Sequence, residues 1–422
     1  MERLGPRARN RLRRAEHLEG RDGVAHVYRQ STDDPGGFVS NLRHLEVGTM
    51  FKTIRSVVRL RKFEVNGTKR RLAKVGSVDD LRLLAKRRLP GGVFDYFDGA
   101  AEDEVTKVEN SSAFSKIELR PRVLVDVSKI DTTTTIMGQP VPFPIALSPT
   151  GFTRIAHPQG ELAVARVAGA VNLPYTLSTL GTRSIEEVAR VATGPLWYQL
   201  YVWKDRGLSR ELVERARDNG YKAIMLTVDT PVFGRRERDV RRGFTLPPKI
   251  GLETFVDGIL HPKWTWDFVR SEPITFSAVA GRKSVDGSTA VTLSDYVNSQ
   301  FDPTLSWNDL EWIREVSGLP LMLKGIQSVE DAKRAAELGV DAIALSNHGG
   351  RQYDGAPAPV ALLPRVVDAV GNSIEVLVDG GVRRGSDVVK ACALGARAVM
   401  FGRPYLYGLG AGGELGVRWA ID

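Results

Sequence analysis

The sequence predicts an α/β protein built as a (β/α)8, or TIM, barrel with an N-terminal helical segment, a long insertion after the fourth strand and a truncated last helix. Eight short apolar runs, at 145–147, 175–177, 197–201, 223–228, 321–323, 342–345, 375–378 and 398–401, alternate with helix-like intervals. Each run ends in polar residues that a purely structural strand would not need, eight times in register. The length, 422 residues at 42% hydrophobic, suits one barrel of about 250 residues or more plus appendages.

Residues 1–49 are Arg-rich and aperiodic, and read as disordered or as an extension ahead of a natural start at Met50. In the next segment, 50–77, Phe51, Ile54, Val57 and Val58 recur at helical spacing while Arg55, Arg59 and Lys62 take other angles, giving a basic amphipathic helix. Residues 50–74 hold nine Lys/Arg against the single acid Glu64, so the net charge of +9 sits largely here. Attraction to an anionic membrane face is the functional reading, and a solvated helix docked on the barrel the plain one. No domain-wide basic pattern or stacking aromatics accompany the segment, so nucleic acid is not an expected partner. No apolar run reaches the roughly 18 residues of a membrane span, and the start lacks a signal-peptide core. The expected location is cytoplasmic, with a peripheral position on the inner face of the cell membrane as the reading of the basic segment. The single cysteine, Cys392, excludes an internal disulfide and reads as packing in the helical run 388–394. With only six histidines besides, no metal site is expected.

The barrel proper is expected over 78–422. A helix at 78–88 ends at Leu89-Pro90-Gly91-Gly92 and leads into 93–103, rich in aromatics and acids. About ninety residues separate the fourth and fifth apolar runs, an excursion too long to be core. There Trp264, Trp266 and Phe268, near Lys263 and Arg270, suit covering a site or touching a membrane.

The sixth run, fed by the amphipathic 329–338, delivers Ser346-Asn347-His348-Gly349-Gly350-Arg351-Gln352 at its carboxyl end. His348 has the proton affinity nearest working pH, and Arg351 offers a forked, permanent cation suited to a carboxylate. A polar turn with a capping histidine is the plain alternative. The other strand ends carry Pro149-Thr150-Gly151, Ser178, Gln199 with Tyr201, Thr227 with Asp229, Lys324, Asp379-Gly380-Gly381 with Arg383, and Gly402-Arg403. Glycine-rich turns after the seventh and eighth strands, leading into helix starts, form a phosphate site to which Arg383 and Arg403 add charge. Lys324 can stabilise negative charge on an electron-poor ring, and Gln199, Ser178 and Thr227 can meet that ring's polar edge. Flavin mononucleotide satisfies these demands together.

On these motifs, with Asp95-Tyr96, Gly234-Arg235-Arg236 and Gly402-Arg403-Pro404, the chain resembles the FMN-dependent 2-hydroxy acid dehydrogenase and oxidase family from about residue 78 to 419. Among its members it is most similar to the actinobacterial, quinone-type L-lactate dehydrogenases, including in Phe301-Asp302-Pro303-Thr304-Leu305. The resemblance implies His348 as the base, Asp229 pairing with it and raising its proton affinity, Arg351 and Tyr96 on the substrate carboxylate, Tyr201 on its hydroxyl, and Arg236 behind them. It further implies Pro149, Thr150, Gly151, Ser178, Gln199, Thr227 and Lys324 around the FMN ring, and Asp379, Gly380, Gly381, Arg383, Gly402 and Arg403 towards its phosphate end. The implied reaction is oxidation of an L-2-hydroxy acid, most specifically L-lactate to pyruvate, with electrons passing to a quinone. An oxidase or monooxygenase using oxygen is the alternative within the family; glycine at 151 resembles the dehydrogenase-like members and the lactate monooxygenases more than glycolate oxidase, which favours slow reaction with oxygen and a quinone as acceptor. Residues 1–77 lack the His-Pro-Gly-Gly haem motif, since Asp34-Pro35-Gly36-Gly37 has no histidine. Family members continue past the point where 413–422 reads as only the beginning of the closing helix. That expectation puts the implied homo-tetramer in doubt and motivates a truncated, non-enzymatic relic or binding scaffold as a further alternative. Other FMN barrels or phosphate-sugar barrels would not require Tyr96, Tyr201, His348 and Arg351 together.

Overall fold

Eight parallel strands close on themselves in chain order: β3 (Ile145–Leu147), β4 (Tyr175–Ser178), β5 (Leu196–Leu200), β6 (Ala223–Thr227), β7 (Leu321–Ile326), β8 (Ala342–Ser346), β9 (Glu375–Asp379) and β10 (Ala398–Phe401), with β10 pairing β3. All eight expected strands are present. The computed structural model describes residues 64–242, 252–278 and 300–422, of which 66–422 form one compact unit. The readings of 1–49 as irregular and of 50–62 as an amphipathic helix lie outside the described residues.

Alternation along the strands sorts two cores. Ala146, Trp197, Met225, Met322, Leu377 and Met400 fill the barrel interior, while their outward neighbours pack beneath the helices. A hairpin with no counterpart in the sequence reading, β1 (Thr134–Ile136) and β2 (Gln139–Val141), lends Ile136 and Val141 to the interior cluster and so plugs the barrel's amino end. Its turn residues Met137 and Gly138 both have positive φ, +47° and +75°, the geometry that matches strand twist in a two-residue hairpin. The backbone N–H of Met137 donates to the Glu375 carboxylate at the foot of β9 (2.8 Å), fixing the plug to the wall.

The expected helix at 78–88 is Val78–Arg88, started by Ser77, whose hydroxyl accepts from Asp80 N. A shorter helix, Gly67–Leu72, precedes it, so the end of the basic segment is folded onto this unit through buried Leu72. After β10 the chain forms a full helix, Arg403–Gly412, before the stretch read as the beginning of the closing helix. Gly413, at φ +60°, turns it into a second, Glu414–Ile421. The two pack closely because Gly408 and Gly416 leave no room for a Cβ between them. The first also packs on Val78–Arg88, with Arg88 Nε donating to Gly410 O.

The described parts of the excursion form Glu237–Arg241, Leu252–Leu260, Pro262–Arg270 and, just before β7, Asp309–Ser317. Trp264 anchors the third of these to the loop after β3, its indole N–H donating to Ile155 O at 2.8 Å.

Candidate functional site

Because strand side chains alternate in and out, the last inward residue of each strand and the loop after it face one mouth. A single cavity there is lined by Tyr96, Tyr201, Arg236, Lys324, His348 and Arg351, together with Pro149, Thr150, Gly151, Ser178, Asp379, Gly380, Gly381, Arg383, Gly402 and Arg403. The remaining expected site residues, Gln199, Thr227 and Asp229, stand behind this lining. Leu180, Thr230 and Phe233 also line it and were not picked out from the sequence. Borne on loops, they carry no signal that separates them from ordinary turn residues.

His348 sits at φ +58°, a strained position for a side-chain-bearing residue, held by its backbone N–H donating to Ser346 Oγ (3.0 Å). Its Nδ1 lies 3.0 Å from Asp229 Oδ1, which assigns the proton of the neutral ring to Nδ1 and leaves Nε2 as the ring's acceptor. Asp229 fits beneath it only because residue 325 is glycine, at φ +112°, where a Cβ would stand 2.7 Å from Asp229 Cβ. Burial lowers the proton affinity of His348, and Lys324 and Arg236 add to this against the opposing pull of Asp229. Asp229 raises the proton affinity of His348 as expected, but removal from water outweighs that one neighbouring charge.

Lys324 Nζ lies 3.0 Å from Asp379 Oδ2 and donates to Ser346 Oγ (3.2 Å). Burial favours the neutral amine, but Asp379 outweighs it and keeps Lys324 a cation. The other Asp379 oxygen accepts from Ser148 Oγ at 2.6 Å. Asp379 thus serves as counter-ion to Lys324, with Ser148 and Ser346 completing its hydrogen bonds, two serines the sequence reading left unassigned.

Arg351 is buried against Tyr96, its guanidinium carbon 5.2 Å from the ring centroid and its NH1 donating to Tyr96 O (2.7 Å) and Gly99 O (3.1 Å). Among the described residues no carboxylate comes within ion-pair distance of it. Burial, with Arg236 and Arg403 nearby, lowers its pKa to about 9, so the pocket is short of negative charge. Arg236 Nε is buried and has no hydrogen-bond partner among the described residues. A small carboxylate is the ligand that such a pair of guanidinium groups accepts. Burial, with Asp229 close by, pushes the Tyr201 hydroxyl above its ordinary pKa, keeping it a donor.

The residues present fit FMN. Gln199 Oε1 accepts from Ser178 Oγ (3.0 Å) and Thr179 N (3.2 Å), leaving its Nε2 buried and unsatisfied, as is Thr227 Oγ1. Two such polar atoms, at the carboxyl ends of the neighbouring strands β5 and β6, are what a heterocycle's edge would meet. Gly381 has φ +86°, and a Cβ there would lie 1.9 Å from Asn110 O, so no other residue can bring the chain this close. The helix Arg403–Gly412 begins at Gly402 with no side-chain cap, an open anion site, whereas the first N–H groups near Gly385–Ala393 already donate to Asp387. The guanidinium of Arg403 donates to Phe97 O, Gly349 O and Gly99 O, so the backbone of this helix start is freer for a phosphate than the Arg403 side chain.

Barrel and mouth together define a flavin-nucleotide oxidoreductase for small carboxylates. The chain belongs to the FMN-dependent dehydrogenase family, whose model matches residues 85–422. It is 46% identical over 356 residues, 84% of each chain, to a Mycobacterium tuberculosis (strain ATCC 25618 / H37Rv) protein provisionally named an L-lactate dehydrogenase. It is also 46% identical over 343 residues to an L-lactate oxidase of Nostoc sp. (strain PCC 7120 / SAG 25.82 / UTEX 2576), covering 80% of this chain and 88% of that one. The crystal structure of the monotopic membrane protein (S)-mandelate dehydrogenase superposes with a TM-score of 0.78 at 40% identity, over 82% of this chain and 92% of that one. The protein is therefore an FMN-dependent enzyme of α-hydroxy acid oxidation.

Proposed function

We propose that this chain oxidises L-lactate to pyruvate with His348 as the base and passes the electrons to a quinone. The observation that carries the reading is the His348–Asp229 pair opening onto the same cavity as Arg351, a cation with no carboxylate partner among the described residues. Arg351, Arg236 and Tyr96 hold the substrate carboxylate, and Tyr201 donates to the substrate oxygen. His348 Nε2 then takes a proton from the α-carbon or the hydroxyl, and Asp229 stabilises the imidazolium that results. FMN, when bound, accepts the two electrons the substrate gives up. Gln199, Ser178, Thr227 and Lys324 hold and polarise its ring, with Lys324 kept charged by Asp379. Arg383 and the Gly402–Arg403 helix start hold its phosphate.

L-Lactate as substrate is supported by the lactate-related names of two relatives. A quinone acceptor is supported by the resemblance of glycine at 151, which lines the cavity, to the dehydrogenase-like members of the family. Mixing purified protein with L-lactate without oxygen should bleach the flavin absorbance, and colour should return quickly with a quinone analogue and slowly in air. Fast recovery in air would replace the quinone with oxygen, and a flavin indifferent to L-lactate would discard the substrate.

A peripheral membrane contact is supported by Phe255, Ile259, Leu260, Trp266 and Val269, exposed on Leu252–Leu260 and Pro262–Arg270, with Arg270 over the Trp266 ring at 4.6 Å. No helix among the described residues is long and apolar enough to cross a membrane. The protein should sediment with anionic phospholipid vesicles, and a variant carrying Ile259→Glu with Trp266→Glu should not. Equal sedimentation of both would remove this surface from the reading.

A further inference from the structure

Asp98 is the last residue of the helix Gly91–Asp98 and is fully buried. A carboxylate at a helix C-terminus opposes the helix dipole, so it must be held by groups from elsewhere. Its two oxygens accept five hydrogen bonds from four residues: Arg82 (2.5 and 2.9 Å), Lys107 (3.3 Å), Arg238 (2.9 Å) and Tyr407 (2.8 Å). Burial alone would raise its pKa, but Arg82, Lys107 and Tyr407 outweigh this and hold the carboxyl far below the carboxylate range. The donors come from four separate parts of the chain, including the start of the excursion and the helix after β10.

This junction adjoins the groups around Arg351. Tyr96 lies two residues before Asp98, and Arg236 two residues before Arg238. The carbonyls of Tyr96, Phe97 and Gly99, at the end of the helix, are the acceptors for Arg351 and Arg403. The other end of the helix is tied as well, with Gly91 N donating to Asp257 of the excursion at 2.6 Å.

We propose that Asp98 is a positioning residue for substrate binding, holding the last turn of Gly91–Asp98 and the Arg238 segment so that Tyr96, Arg351 and Arg236 converge on the substrate carboxylate. The inference rests on the assignment of those three residues to the carboxylate given under Proposed function. Asp98 touches neither substrate nor His348, so its loss acts on carboxylate affinity ahead of turnover.

The test uses FMN-loaded protein and two readouts, steady-state KM and kcat for L-lactate and the dissociation constant of oxalate, an unreactive carboxylate, by calorimetry. Asp98→Asn should raise KM and the oxalate constant about tenfold, with kcat falling no more than about twofold and FMN retained. Tyr407→Phe, which removes one of the five bonds, should move both constants about twofold to threefold in the same direction and decides the matter if Asp98→Asn does not fold. Glu161→Gln, at a fully buried carboxylate bonded to Thr182, controls for loss of stability alone and should leave both constants unchanged. Unchanged constants in the Asp98 and Tyr407 variants, or an equal rise in Glu161→Gln, overturn the proposal. Arg351→Lys in the same titration separates the two levels. If it weakens oxalate binding while the Asp98 and Tyr407 variants do not, only this inference falls. If it leaves oxalate binding unchanged, the carboxylate assignment falls and the inference with it.

Discussion

Replacing His348 with glutamine is expected to leave FMN bound while slowing its reduction by substrate about 10²- to 10⁴-fold, the usual contribution of a positioned base. Glutamine can still reach Asp229 but has no basic nitrogen to turn towards the cavity. Stopped-flow reduction without oxygen measures the effect directly, and near-normal reduction would remove His348 from the role. The pH profile adds an independent check. His348 must be neutral to act, and burial holds its pKa below the ordinary 6.5, so kcat/KM should fall only as pH drops below that value. Asp229→Asn removes the neighbouring charge that raises this pKa. The acid limb should then move to lower pH while the plateau rate drops, because the imidazolium has lost its counter-ion.

Arg351→Ala is expected to cost about 3–5 kcal/mol in kcat/KM, because a buried carboxylate without its partner is strongly disfavoured. Arg351→Lys should retain part of that, keeping the charge but losing the fork that also reaches Tyr96 O and Gly99 O. Burial, with Arg236 and Arg403 nearby, lowers the pKa of Arg351, and a carboxylate placed against it opposes all three effects. Steady-state kinetics on the three forms measures this, and an alanine variant with unaltered KM would place the carboxylate elsewhere.

The barrel was legible because each strand is a local event, a few apolar residues bounded by turns, and because inward and outward alternation puts the last polar residue of every strand at one mouth. That most of the candidate residues share one cavity was legible for the same reason, and His348 and Asp229 could be paired across 119 residues only through the family resemblance. What escaped the sequence depends on partners distant in the chain. Ser148 and Ser346 matter only once Asp379 lies between them, and Asp98 only once Arg82, Arg238 and Tyr407 surround it. The plug hairpin escaped because its strands, Thr134–Ile136 and Gln139–Val141, contain no apolar run of the kind that marked the barrel strands. Burial of His348, which outweighs the rise that Asp229 brings, is a property of the closed mouth and of no single residue.

The packing of Val78–Arg88 on Arg403–Gly412 has a consequence for how the molecule is made. Arg88 and Gly410 are separated by 322 positions, and β3 likewise waits for β10. At a ribosome's about 5–20 residues per second, the apolar stripe of Leu81, Ala85 and Leu89 emerges on the order of tens of seconds before its cover exists. Throughout that interval the nascent chain offers a sticky surface, and a chaperone that shields the first helix until synthesis reaches the last would raise the yield of closed barrels.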